Sequence, residues 1–175
     1  MLKKIVIGIA VIVAAVLAFA ATKPDTFHFE RSTTITASPE KIAALVTDFR
    51  QWRAWSPWEN LDPQMQRTYS GPERGPGAVY EWSGNSSAGQ GRMEVLSESE
   101  EAIEFKLDFL KPMATSNTLR FALTPHPQGT EVVWSMDGPM PYISKLLTVF
   151  VSMDTLLAKD FEKGLVDLKA AAEQG

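Results

Sequence analysis

The chain has 175 residues, no cysteine, and a net charge of −4 with a pI of about 5.2. Without cysteine there are no disulfides, no thiol catalysis and no thiolate metal sites, and without a basic stripe beyond the extreme N-terminus there is no nucleic-acid footprint. Hydrophobic residues make up 45% and charged residues 22%, enough for one packed domain with an appendage.

The appendage comes first. Ile5 to Ala21 carry no polar side chain, with Lys3 and Lys4 before them and Thr22, Lys23, Pro24 and Asp25 after. As a helix this stretch spans roughly 26 Å, enough for a thin bilayer. It reads as an N-terminal transmembrane helix, the membrane contact being residues 5–21. A cleaved signal peptide is the alternative, with Ala18-Phe19-Ala20 as the small-x-small site and cleavage near Ala20. The lysine pair belongs on the cytoplasmic side. The expectation is a single-pass inner-membrane protein with its domain on the periplasmic face, or a periplasmic protein after cleavage. Residues 1–25 are the anchor or signal peptide and residues 26–175 the folded domain.

Phe27, Phe29 and Ile35 share one face of a strand over 26–36. Ser38-Pro39-Glu40 opens a helix, with Ser38 as cap and Pro39 in the first turn. Ile42, Leu45, Val46 and Phe49 form its apolar stripe, which Trp52 and Trp55 extend at steps of three until Pro57 stops it. Three of the five tryptophans thus lie between Trp52 and Trp58. Strands are expected over 78–83, 92–97, 103–110, 118–123 and 131–136, with hairpin turns at 84–89 and 125–129. Ile103, Phe105, Leu107 and Phe109 alternate with Glu104, Lys106 and Asp108, so one sheet face is buried and one is wet. The last element, over 142–172, is one long helix with Ile143, Leu146, Leu147, Phe150, Met153, Leu157, Phe161, Leu165 and Leu168 on one stripe.

This order of elements, a strand, short helices, antiparallel strands and a long C-terminal helix, resembles the helix-grip fold. The residues that carry the likeness are Arg31-Ser32 with Thr34-Ile35-Thr36-Ala37-Ser38-Pro39-Glu40, Phe49-Arg50-Gln51-Trp52, Trp55-Ser56-Pro57-Trp58, Gly91-Arg92-Met93-Glu94-Val95 and Asp160-Phe161-Glu162-Lys163-Gly164-Leu165. From about residue 26 to 172 the chain resembles the SRPBCC (START-like) superfamily, in its polyketide cyclase/dehydrase-like branch, and closely the membrane-anchored bacterial members. The resemblance implies an α+β fold in which a curved antiparallel sheet wraps a long C-terminal helix over an apolar cavity. The superfamily includes lipid carriers, receptors, cyclases and co-chaperone domains, so the likeness does not select one function.

Parity along the strands proposes which side chains face that cavity. Trp55, Trp58, Tyr80, Trp82, Met93, Phe109, Trp134, Met136 and Met153 are the candidate ligand-binding residues. The tryptophans and Tyr80 lead because a buried N–H or O–H needs a partner, which favours a partly wet wall. A ligand burying about 300 Å² of apolar surface gains up to roughly 7 kcal/mol before association costs. Catalytic candidates are weak. Arg31 shares parity with Phe29, and Asp137 stands at a strand end, but a rim salt bridge and a turn suit them as well. No nucleophile elbow, phosphate loop or metal-ligand cluster is present in the sequence, and no cofactor is expected. Gly164, inside the helix, signals a close approach to the sheet.

Three functions stand open. One is a membrane-tethered binding domain for a lipid or other hydrophobic small molecule. The second is a cyclase/dehydratase-type enzyme using acid–base chemistry in the same cavity. The third is a protein-interaction or chaperone-like module presenting Trp55 and Trp58 as an exposed aromatic patch.

Overall fold

The computed structural model describes residues 1–174, leaving Gly175, the last residue of the expected domain, outside. Helix α1 (Leu2–Ala21) precedes strand β1 (Thr26–Ile35) and helix α2 (Pro39–Thr47). Two 3-10 turns, Gln51–Ala54 and Pro57–Asn60, lead to strands β2 (Gln66–Ser70), β3 (Val79–Ser83), β4 (Gln90–Glu98), β5 (Ala102–Lys111), β6 (Thr115–His126) and β7 (Gly129–Pro139). Helices α3 (Tyr142–Leu147) and α4 (Met153–Glu173) complete the chain. The seven strands form one antiparallel sheet in the order β1-β7-β6-β5-β4-β3-β2. The sheet curves around α4 in a helix-grip arrangement.

Parity fixed the inner face as the sequence suggested. Tyr80, Met93, Val95, Phe105, Leu107, Leu119, Phe121, Leu123, Trp134 and Met136 are all buried. Against them pack α2, the 3-10 turns and the Phe161-Leu165-Leu168 stripe of α4. The outer face carries ion pairs such as Arg92–Glu94 (2.8 Å) and Lys106–Asp108 (2.9 Å). Ser38 caps α2 from its side chain, with Pro39 in the first turn.

Gly164 lies where α4 crosses β7. A Cβ there would come within 2.7 Å of the Trp134 ring and 3.3 Å of Pro57 Cδ. Only a residue without a side chain lets the helix approach this closely.

Two expectations need correction. The strand β2 was not foreseen, because Gln66-Arg67-Thr68-Tyr69-Ser70 has one aromatic and no apolar alternation, as an edge strand with little burial requires. The C-terminal helix is not continuous over 142–172. Thr148, Val149 and Val151 are β-branched and stiff at χ1, and Ser152 offers a better use as an N-cap, its Oγ accepting from Thr155 N at 3.0 Å. The chain breaks there, so the stripe of Ile143, Leu147 and Phe150 turns to the outside instead of the sheet.

Candidate functional site

The register of the strands decides where open space is left. Toward one end of the sheet, that of Ile103, Leu123 and Val132, the inner face is filled by Val95, Phe105, Phe121 and α4. Toward the other end, where β7 closes at Pro139 and β1 begins at Thr26, a cavity of about 410 Å³ remains. Its sheet wall is Tyr80 and Trp82 from β3, Met93 from β4, Leu107 and Phe109 from β5, Leu119 from β6 and Met136 from β7. The opposite wall is Trp52, Ser56, Trp58 and Glu59 of the 3-10 turns with Leu157 and Asp160 of α4. Leu61, Met65, Ser87 and Ala88 close the side.

The hairpin that carries Ser87 and Ala88 is held from two directions. Trp82 Nε1 donates to the Ala88 carbonyl (3.0 Å), and buried Asp62 accepts from the backbone N–H of Asn85 (2.7 Å). Gly91 lets Trp82 lie flat across β4, since a Cβ there would meet the indole at 2.4 Å.

Of the nine proposed ligand-binding residues, six line this space: Trp58, Tyr80, Trp82, Met93, Phe109 and Met136. Trp55, Trp134 and Met153 do not. Trp55 is 1% exposed and wedged among Trp52, Phe121 and Trp134. Trp134 is stacked between Phe121 (4.9 Å) and Phe161 (4.3 Å). Met153 stands at the first position of α4, outside the cavity wall. The need of an indole N–H for a partner did not bring Trp55 or Trp134 to the wall, although Trp58 and Trp82 stand on it. Helix α2 ends with unpaired carbonyls, as every helix does, and the indoles use them: Trp52 Nε1 donates to Val46 O (2.8 Å) and Trp55 Nε1 to Leu45 O (3.2 Å). Trp134 Nε1 is buried with no partner among the described residues. Trp55 therefore finds its partner away from the cavity wall, and Trp134 forgoes one. With Trp55 buried and Trp58 half-buried, the pair presents no exposed aromatic patch.

The polar part of the wall was missed by sequence reasoning. Glu59 is 7% exposed. Its Oε1 accepts from the Tyr80 hydroxyl (2.5 Å) and its Oε2 from Arg67 Nε (2.7 Å). Arg67 also donates to the carbonyls of Glu59 (2.8 Å) and Met65 (2.7 Å). Burial, then the bond to Glu59, push the Tyr80 phenol well above its usual range, so it stays protonated. Asp160 adds a second carboxylate, half-exposed, from α4. No sequence signal marks Glu59, because Trp58-Glu59-Asn60 reads as a polar turn and its partners lie elsewhere in the chain.

The two weak catalytic candidates lie away from the cavity. Arg31 bridges β1 to α4, paired with Asp154 and with Glu162 (3.1 Å), its guanidinium over the Phe29 ring at 4.6 Å. Asp137 faces outward, its carboxylate accepting from the His28 Nδ1–H at 2.7 Å. Among the described residues no group of three His, Cys, Asp or Glu is placed to hold a metal ion.

Comparisons with known proteins give one family and a shared fold. The family model described as polyketide cyclase / dehydrase and lipid transport matches residues 26–173. No curated protein matches significantly. The fold is similar to that of the di-domain ARO/CYC StfQ from the steffimycin biosynthetic pathway, with a TM-score of 0.63 and 16% identity over 85% of this chain and 51% of that one. It is also similar to an Aha1 dimer from Colwellia psychrerythraea, with a TM-score of 0.59 and 20% identity over 85% of this chain and 98% of that one. Protein CV1439 from Chromobacterium violaceum gives a TM-score of 0.57 and 17% identity over 87% of this chain and all (100%) of that one.

Proposed function

The chain belongs to the polyketide cyclase / dehydrase and lipid transport family, and from that premise we propose that residues 26–175 bind a lipid or other hydrophobic small molecule while residues 1–25 tether them to a membrane. The observation that carries the reading is the cavity of about 410 Å³ between sheet and α4, walled mostly by Trp, Met, Leu and Phe side chains. Its size and lining suit a small apolar ligand. The tether is supported by α1, a 20-residue apolar helix left almost wholly unburied. At 1.5 Å per residue it is about 30 Å long, the thickness of a hydrocarbon core.

The wall groups suit an amphiphile. The Tyr80 proton is committed to Glu59, so its oxygen offers a lone pair toward the space, and Asp160 offers a carboxylate. A ligand with an apolar body and one hydroxyl or amine donor satisfies both. Cyclase-type acid–base chemistry is the second reading, and the buried Glu59–Tyr80 pair beside Asp160 is what favours it. Binding is preferred because both oxygens of Glu59 are already occupied, leaving Asp160 without a pre-oriented acid or base partner.

Purification of the full chain from membranes, followed by solvent extraction and mass spectrometry, tests the proposal. A bound apolar molecule is expected from the wild type. It is expected to be lost from Met93→Trp, which fills the cavity while leaving the fold intact by circular dichroism. An empty wild type that also fails to enhance an apolar fluorescent probe overturns the reading.

A further inference from the structure

The domain end nearest the anchor shows an inversion of the usual surface. On α3 the cation is buried and the apolar side chains are outside. Lys145 is 7% exposed, its ammonium held at 2.5 Å by the carboxylate of Asp25, which itself stays exposed. Phe150 is 74% exposed and Leu147 60%, with Tyr142 and Ile143 beside them also exposed. Facing water, this arrangement gives up apolar burial for nothing; facing an apolar medium, it is the favourable one.

The same segment is fastened to the last turn of α1. The Tyr142 hydroxyl donates to the Leu17 carbonyl (2.8 Å), and Lys23 Nζ donates to the Thr148 carbonyl (2.5 Å). Ala20 is completely buried, and Met140 N donates to Asp25 O at 2.6 Å. Leu17 lies one turn from the end of α1, so α3 sits level with the final turn of that helix. The strand register puts the β5–β6 hairpin at this end too, since Thr118 pairs with Asp137 just before β7 closes at Pro139. That hairpin exposes Leu110 and Met113.

We propose that α3, the turn after it and the β5–β6 hairpin form a second membrane contact, seated in the headgroup–acyl boundary of the bilayer that α1 enters. The proposal rests on the reading of α1 as an uncleaved span. Continuity with that helix selects the occupant. A segment held level with the last turn of a spanning helix lies at the depth where amphipathic elements sit and where tyrosine is enriched. The turn runs directly into α4, whose Leu157 and Asp160 wall the cavity, so leaflet and cavity are joined by one helix.

The absence of native cysteine makes the test direct. Single cysteines are placed in the full chain at Ile12→Cys in α1, Phe150→Cys and Met113→Cys in the proposed contact, and Glu100→Cys at the opposite end of the sheet. Each is labelled with an environment-sensitive dye in phosphatidylcholine/phosphatidylglycerol vesicles, and folding is checked by circular dichroism. Nitroxide lipids labelled deep in the acyl chain are expected to quench Ile12→Cys. Lipids labelled near the headgroup are expected to quench Phe150→Cys and Met113→Cys. Aqueous iodide is expected to quench only Glu100→Cys. If Ile12→Cys is in lipid while Phe150→Cys and Met113→Cys are as open to iodide as Glu100→Cys, the second contact is overturned and the span stands. Shielding of Phe150→Cys from iodide without lipid quenching indicates a second copy of the chain on this face, and also overturns it. If Ile12→Cys is itself in water, or the chain is recovered shortened after Ala20, the span fails and the contact with it.

Discussion

At Glu59 a carboxylate stands between an apolar cavity and a guanidinium that is itself nearly buried. Removing one partner of such a pair leaves the other uncompensated, which costs several kcal/mol. Arg67 would keep its two backbone carbonyl acceptors. Glu59→Gln is therefore expected to lower stability by about 3 kcal/mol, read by chemical denaturation. Tyr80 gives a pH test of the same cluster. Its folded pKa lies above the unfolded value of 10.0, because burial and Glu59 both oppose the phenolate. Stability from this group is complete below about pH 10 and is lost as pH rises beyond it. Tyr80→Phe is expected to cost about 2 kcal/mol at neutral pH and to flatten the alkaline loss of stability. Some loss persists, since burial raises the Tyr69 phenol as well. These residues show where sequence stops informing. Tyr80 was legible from parity along a strand; Glu59 was not, because its burial comes from Arg67 and Tyr80, which only the folded chain brings to it.

The elements show the same division between local and tertiary causes. Gly164 was legible as a close approach, since a glycine within a strong helical stripe has few other uses. Gly164→Ala sets two effects against each other. Alanine gains up to about 1 kcal/mol in a helix interior. Its Cβ, however, would press at 2.7 Å on a tryptophan ring stacked between two phenylalanines. Overpacking of that kind costs roughly 1–3 kcal/mol, and the ring has no free side toward which to move. A net loss of about 1 kcal/mol is expected, a fall in Tm of roughly 2–4 °C for a chain of this size, measurable by thermal unfolding. The break between α3 and α4 was not legible, because the apolar spacing of Ile143, Leu147, Phe150 and Met153 continues across it. Periodicity reports that a face is apolar; it does not report what covers that face. The tryptophan run shows the reverse case, where Trp55 was expected in the pocket wall and instead bonds to the carbonyl end of α2.

On the scale of the whole molecule, the hydrophobic core and helix α1 share almost nothing. Every member of the core cluster lies between Phe29 and Ala172, and Ala20 is the one buried residue of α1. Losing residues 1–21 removes that alanine contact and the Tyr142–Leu17 hydrogen bond, together on the order of 1–2 kcal/mol. A chain of residues 22–175 is therefore expected to melt within roughly 5 °C of the full chain. Solubility should behave differently, because the same deletion strips cover from α3 while Phe150 and Leu147 stay exposed. Concentration-dependent association is expected in sedimentation experiments on the shortened chain, relieved by detergent and by Leu147→Ser with Phe150→Ser, with no change in Tm. Failure of the shortened chain to fold would mean that α1 is a structural part of the domain. A folded chain that stays monomeric would mean that the apolar end tolerates water. The two readouts separate because stability is set by what lies between sheet and α4, and association by what the end next to α1 leaves uncovered.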